Sequence, residues 1–288
     1  MNLHIVTAIY GRDALTKIVL QYYSDLAELL SERANVSLLC CGSLGEHSRN
    51  IAESCGWDYV EAPNAPLSQK FNALFGASEQ YSPDLTVLVG SDDLISPEIF
   101  WYYLDNVKPT ERNLVGLTDL YFYSIAENRC VHFPGYGGNS PKTIGAGRCF
   151  SRYVLETMEY NLWGKEILPR GLDTASTIRM KRAGIYETAV TMQQTGGIGV
   201  DIKDAAVSLT PFGRVQMKST DVPVSILEQA FPVEMQQVYN MPKSRIFEPY
   251  RMYKCRVVNP KHPLYGKQVE YSGTVIQKLL IEQKIEMV

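Results

Sequence analysis

The sequence predicts an α/β fold: a mostly parallel sheet that becomes mixed, followed by a small β-rich extension. Three observations predict it. Over the first hundred residues, short β-type runs alternate with apolar positions at helical spacing. The early strands are mostly apolar, as parallel strands covered on both faces are. After about residue 215 the pattern changes to short β-type runs separated by Pro and Gly turns. With 288 residues there is room for one large α/β domain and a smaller element. The division expected is 1–215 and 216–288.

The elements follow in order. "LHIVTA" (3–8) is a strand. Leu15, Ile18, Val19, Tyr22, Leu26, Leu29 and Leu30 then recur at helical spacing and give one long amphipathic helix. "VSLLCC" (36–41) is a strand, "HSRNIAES" a short helix and "DYVEA" (58–62) a strand. "LSQKFNALFGASEQ" (67–80) is a helix, and "LTVLVG" (85–90) is the fourth strand. "NLVGLTDLYFYSI" and "CVHF" read as strands of a mixed sheet, followed by helices near 151–160 and 172–183. "STDVPVSILEQAFPVEMQQVYN" reads as a connecting segment with one helix.

Composition excludes some classes. A net charge of −3 gives no global signature of a nucleic-acid binder. No run of eighteen apolar residues predicts a membrane span. The start, "MNLHIVTAIYGRD", reads as a strand without the basic region of a signal peptide, so a cytoplasmic location is expected. Cys40, Cys41, Cys55, Cys130, Cys149 and Cys255 form no CxxC pair and read as reduced thiols.

The chemistry concentrates at "TVLVGSDDLISPE" (86–98). Ligands of open α/β sheets sit beyond the carboxyl ends of the parallel strands, which is where Asp92 and Asp93 fall. Helix capping does not require them. The next helix already has Ser96 as N-cap, Pro97 in its first turn and Glu98 at the positive end of its dipole. Two spare carboxylates there suit a hard divalent cation, Mn(II) or Mg(II), bridging to a diphosphate. No GxGxxG follows the first strand and no GxxxxGK[ST] occurs, which excludes dinucleotide and P-loop sites.

With these stretches in view, the chain resembles GT-A glycosyltransferases of the family 2 type, including small phage-encoded ones. The resemblance covers about residues 3–215 and rests on five stretches in order: "IVTAIYGR", "PLSQKFNALF", "VGSDD", "GAGRCFSR" and "RGLDTAST". It implies a nucleotide-sugar donor, a UDP-sugar, contacted by Thr7, Ala8, Tyr10, Arg12, Lys70, Asn72, Ser91, Asp92, Gly145, Gly147 and Arg148. It implies Asp93 as the metal ligand and Asp173 as the acceptor-side catalytic acid. The chain departs from the family's DXD motif at Ser91, which stands where an acid is usual. Metal binding then falls mainly on Asp93, with Asp92 directed to sugar or ribose.

Several of these residues have a second reading. Tyr10 is either a base contact or a rim aromatic. Lys70 is either inward or solvated. Gly145 and Gly147 permit either close approach to a ligand or a tight turn before the helix. Asp173 is either an N-cap or the general base of an inverting displacement. His132 reads as structural.

The tail "CRVVNPKHPLYGKQVEYSGTV" is similar to KOW segments of SH3-like barrels. Lys254, Arg256, Lys261 and Lys267 there either grip a phosphate backbone or form a solvated basic face. In the first case the acceptor is a hydroxymethylated base in phage-type DNA, flipped out to be reached, and the protein works in the host cytoplasm. Two further readings stay open: a nucleotidyltransferase of related fold, and a non-catalytic nucleic-acid-binding protein with a degenerate transferase domain. Oligomeric state is not legible.

Overall fold

The computed structural model describes residues 1–137, 142–169, 171–204, 212–241, 252–261, 263–272, 279 and 285–287. In chain order the first half runs β1 (Asn2–Ala8), α1 (Asp13–Leu30), β2 (Asn35–Gly42), α2 (Glu46–Ser54), β3 (Asp58–Glu61), α3 (Leu67–Ser78), β4 (Leu85–Gly90), β5 (Asp93–Ile95) and α4 (Pro97–Asn106). Then come β6 (Asn113–Leu117), β7 (Leu120–Ser124), β8 (Arg129–Phe133), β9 (Arg148–Ser151), α5 (Arg152–Thr157), α6 (Leu172–Arg182), β10 (Tyr186–Val190), α7 (Met192–Thr195) and β11 (Gly199–Lys203). The last elements are α8 (Phe212–Gln216), β12 (Thr220–Val222), α9 (Ser225–Ala230), α10 (Pro232–Asn240), β13 (Met252–Val257), β14 (Gln268–Ser272) and β15 (Ile285–Met287).

Seven strands form the central sheet in the order β10-β6-β9-β4-β1-β2-β3. β3, β2, β1 and β4 are mutually parallel. β9 lies antiparallel between β4 and β6 and makes the sheet mixed. Alternation along each strand sends side chains to two cores. Leu3 and Ile5 of β1 and Leu85, Val87 and Val89 of β4 join Leu15, Val19, Tyr23, Leu26 and Leu30 of α1 on one face. Val6, Leu39 and Leu88 meet Leu74 and Phe75 of α3 and Val154 and Leu155 of α5 on the other. Each such buried side chain contributes about 1.5–3 kcal/mol, which is why the strands carry no polar face.

A second sheet has the order β12-β8-β7-β11-β5. Its edge strand β5 follows β4 after the two-residue link Ser91-Asp92 and pairs antiparallel with β11. The link therefore carries the chain from one sheet to the other, and the acids sit at that corner. The spare status of Asp92 and Asp93 holds: Ser96 is the N-cap residue of α4 and Pro97 begins it.

Three differences from the sequence reading have physical causes. Residues 148–151 form β9 rather than a loop, because Cys149 and Phe150 pair across to β4 and β6. The helix expected at 151–160 ends at Thr157, where Glu159 and Tyr160 take positive φ. The segment after 215 contains two helices and β12, and Leu227, Phe231, Met235 and Val238 are buried in the main core. The main core thus takes in residues that the sequence reading assigns to the extension. The remaining small sheet, β14-β13-β15, has its own cluster around Cys255 and Val257. All six cysteines are buried free thiols. Among the described residues no helix is long and apolar enough to cross a membrane.

Candidate active site

Beside the β4–β5 corner lies a cavity of about 370 Å³. Its charged lining is Arg12, Asp92, Asp93, Asp173, Asp201, Lys203, Arg214 and Lys218. The elements explain the convergence. Gly11 and Arg12 both take positive φ at the start of α1, which turns the Arg12 side chain back toward the corner. Its Nη1 donates to Asp92 Oδ2 at 2.6 Å and its Nη2 to Ser91 Oγ at 3.0 Å. The Gly90 N–H donates to Asp93 Oδ2 at 2.7 Å. A Cβ at Gly90 would lie 2.5 Å from that oxygen, so glycine is required there.

Two residues that sequence reasoning missed complete the acid cluster. On β11, Asp201 stands opposite Asp93 in the register, and Lys203 follows it on the same strand face. Lys203 Nζ is ion-paired to Asp201 Oδ2 and lies 5.2 Å from the centre of the Phe122 ring. The usable signal is "GVDIKD": charged residues alternating with apolar ones in a short strand, a pattern that puts the charges on one face.

Asp92, Asp93 and Asp201 each offer an oxygen within 4.8 Å of the others. Their proton affinities diverge. Burial disfavours charge on Asp92, but Arg12 and then Lys203 outweigh it and hold the carboxyl below its ordinary value. Burial, then Asp201 and Asp92, push Asp93 well up. Burial raises Asp201 to about 6 against the opposing pull of Lys203. Asp201 Oδ1 is buried and has no hydrogen-bond partner. An all-oxygen set with an orphaned carboxylate oxygen fits a hard divalent cation.

Asp173 reaches the same cavity from the first turn of α6. It is not the N-cap: Gly171 holds that position with φ 74°, and no side chain caps the helix. Gly145 makes room for it, since a Cβ there would lie 2.6 Å from Asp173 Oδ1. Gly145 is thus at the site, and its role is to admit the carboxylate. Phe122, Phe133 and Tyr136 give the cavity an aromatic wall. Arg214 and Lys218 come from α8 and its C-terminal edge, anchored by buried Phe212 and Val215.

Other expected site residues are placed elsewhere. Thr7, Ala8, Tyr10 and Lys70 gather at the carboxyl end of β1, off the cavity wall. Thr7 is buried with an unpartnered Oγ1. Lys70 is inward, not solvated. Its Nζ donates to the Ile9 carbonyl at 2.6 Å and to Asn64 Oδ1 at 3.2 Å, and it lies 5.7 Å from the Tyr10 ring centre. Burial lowers its pKa to about 8.

Asn72, Arg148 and Gly147 each have partners within the chain. Asn72 Nδ2 donates to the Gly164 carbonyl at 2.9 Å and its Oδ1 accepts from the Trp163 N–H at 3.1 Å, so its amide fixes a loop. Arg148 is 2% exposed and donates to the carbonyls of Ile144, Thr143 and Asp173 and to Ser176 Oγ. Its guanidinium clamps the 143–147 loop to α6 and leaves little for a ligand. Gly147 is a turn residue with φ 73°, bonded through its N–H to the Leu88 carbonyl. His132 is structural: its Nε2 pairs with Asp119 Oδ2 at 3.0 Å.

In the small C-terminal sheet Arg256, Lys261 and Lys267 are exposed. The side chain of Lys254 lies outside the described residues, as do Lys243, Arg245 and Arg251.

No protein-family model matches the chain, and no curated protein does. Solved structures of similar architecture include the inositol-1-phosphate CTP transferase from T. maritima, with 10% identity and a TM-score of 0.44 over 82% of this chain and 95% of that one. A Drosophila β-1,4-galactosyltransferase 7 mutant complexed with manganese, UDP-Gal and xylobiose is 10% identical, with a TM-score of 0.42 over 65% of this chain and 64% of that one. A cytidylyltransferase from Leptospira borgpetersenii serovar Hardjo-bovis is 12% identical, with a TM-score of 0.38 over 66% and 75%. At these values the likeness carries no residue role.

Proposed function

We propose that the chain is a glycosyltransferase that moves a sugar from a nucleotide-sugar donor, a UDP-sugar, to an acceptor hydroxyl. One observation carries the reading: a lone carboxylate, Asp173, shares a cavity with a separate cluster of three, Asp92, Asp93 and Asp201. A transfer from a diphosphate leaving group needs both parts. One part supports the leaving group electrostatically, and the other takes a proton from the nucleophile.

In this reading Asp93, with Asp92 and Asp201, holds Mn(II) or Mg(II). The bound ion supplies charge neutralisation for the diphosphate. Arg214 on α8 and Lys218 just after it add positive charge at the cavity wall. Asp173 receives the proton of the acceptor hydroxyl as that oxygen attacks the anomeric carbon, and the outcome is inversion. Arg148 holds Asp173 in place through the backbone of α6. Thr7, Ala8 and Tyr10, at the end of β1, take the nucleotide base, and Lys70 supports that loop from beneath.

We place the catalytic unit at residues up to 241, because the core includes Val238, with the β13–β15 sheet appended. Exposed Arg256, Lys261 and Lys267 on that appendage favour a DNA acceptor. The test is mass spectrometry of the purified protein with a panel of nucleotide sugars, with and without acceptor DNA. Release of the nucleoside diphosphate from one donor supports the reading. Pyrophosphate release from a nucleoside triphosphate would instead indicate a nucleotidyltransferase, and no turnover of any donor would indicate a binding protein.

A further inference from the structure

The acid cluster already contains cations of its own. Lys203 is 5% exposed, and its ammonium is paired to Asp201. Strand alternation puts it on the face of β11 that carries Asp201, and the register puts Asp201 opposite Asp93. The Phe122 ring, 5.2 Å away, gives the ammonium a second attractive surface. Arg12 is fixed to Asp92 from the other side. Each of these two cations occupies one oxygen of a carboxylate that a divalent ion would also use.

We propose that Lys203 is a resident counter-ion of the three-aspartate cluster, which competes with a divalent cation for Asp201 and keeps the cluster's metal affinity low. This rests on the cation-site part of the function proposed above. The physical argument is one of charge. A doubly charged ion entering the cluster meets a positive group that is almost fully withdrawn from water, where repulsion is weakly screened. It must displace the ammonium from Asp201 or share the site with it. Removing the charge frees Asp201 Oδ2 to join Oδ1, which has no hydrogen-bond partner. The cluster then offers the ion a complete carboxylate. Arg12 does not play the same part, because it also holds Ser91 Oγ and so fixes the corner itself.

The test is a titration of the full chain with Mn(II) alone, followed by the electron paramagnetic resonance signal of free Mn(II), at one fixed pH. Wild type is compared with Lys203→Met, Lys203→Gln and Lys203→Arg. The two uncharged variants are expected to bind Mn(II) on the order of tenfold or more tightly, and Lys203→Arg to stay near wild type because it keeps the charge. Adding Asp201→Asn to Lys203→Met should cancel the gain, since the two residues share one interaction. Lys203→Gln also removes the charge but keeps a polar side chain, and serves if the methionine variant does not fold. A measurable wild-type affinity that is unchanged or weakened in the uncharged variants overturns the proposal and leaves the cation site standing. Absence of Mn(II) binding in every variant overturns both.

Discussion

Asp93 on β5 and Asp201 on β11 are direct partners in an antiparallel pair, two carboxylates facing across a strand register. Like charges so placed destabilise a sheet. The arrangement persists because the Gly90 N–H serves Asp93, Lys203 serves Asp201, and burial pushes Asp93 toward its neutral form. This stored repulsion is what makes the corner a candidate for cation binding. It also fixes which single substitutions are informative.

Asp93→Ala is expected to abolish donor turnover and to weaken the joint binding of UDP and Mn(II). Calorimetry of UDP with and without Mn(II) checks the binding, and diphosphate release checks the turnover. Unchanged turnover in this variant, or full wild-type activity in excess chelator, removes the metal from the mechanism.

Asp173→Asn should lower kcat by a factor on the order of 10²–10⁴, the usual loss for general-base catalysis, with donor affinity nearly unchanged. Gly171 is the N-cap of α6, so a capping defect does not account for such a loss. Gly145→Ala is a second probe of the same group. Its new Cβ would lie 2.6 Å from Asp173 Oδ1 and force the carboxylate aside. A kcat defect in both variants supports the base; near wild-type kcat in Asp173→Asn rejects it.

Much of this site is legible in the sequence, and the rest is hidden for definable reasons. Asp92 and Asp93 stand out because they end an apolar strand and the next helix has its own start signal. Asp173 is singled out by the resemblance at "RGLDTAST". Asp201 and Lys203 do not, because their meaning depends on β11 pairing with β5, a contact between distant parts of the chain. The internal partners of Arg148 and Asn72 are hidden for the same reason. Glycine-flanked arginine and helical asparagine look ligand-facing until the carbonyls of Ile144, Thr143 and Gly164 are seen around them. The alternating early strands and helices are legible because the strands are short apolar runs and the first helix repeats its apolar residues at helical spacing. β9 is not, since four residues inserted antiparallel between β4 and β6 carry too short a pattern.

Arg148→Met tests the structural role directly. It removes a buried guanidinium and leaves the carbonyls of Thr143 and Ile144 without a donor. The expected loss is about 3 kcal/mol of folding stability, read as a lower urea midpoint. Donor binding by protein that remains folded should be preserved. Full stability with lost donor affinity would return Arg148 to the ligand.

Acid should destabilise the fold through His4. Its ring is fully buried, stacks on Tyr81 at 4.4 Å and bonds Ser37 Oγ through Nδ1. Burial lowers its pKa from 6.5 to about 4. Between those values the unfolded chain binds more protons than the folded one, so stability rises with pH across that window and is lost as pH falls through it. The loss from this one group is about 3 kcal/mol. Urea unfolding from pH 7 to pH 4 should show it in wild type, and His4→Phe should flatten that slope. An equal slope in both proteins assigns acid sensitivity to the carboxylates instead.

The acceptor is tested at the small C-terminal sheet. Arg256, Lys261 and Lys267 are exposed there, while the cations at the cavity are committed to Asp92 and Asp201 or stand on α8 and just after it. If DNA is the acceptor, the sheet is expected to make the dominant phosphate contacts, because the chain as a whole carries a net charge of −3 and does not attract a polyanion globally. A variant with Lys254, Arg256, Lys261 and Lys267 changed to Ala should then bind DNA more weakly. Its log–log salt dependence should be shallower by roughly one unit for each phosphate that is no longer neutralised. Hydrolysis of the free donor should survive, since the described side chains of Arg256, Lys261 and Lys267 do not line the cavity. Binding titrations of wild type and variant at two salt concentrations read both quantities. A wild type with no salt-dependent affinity for DNA would leave a glycan, a protein or a small molecule as the acceptor.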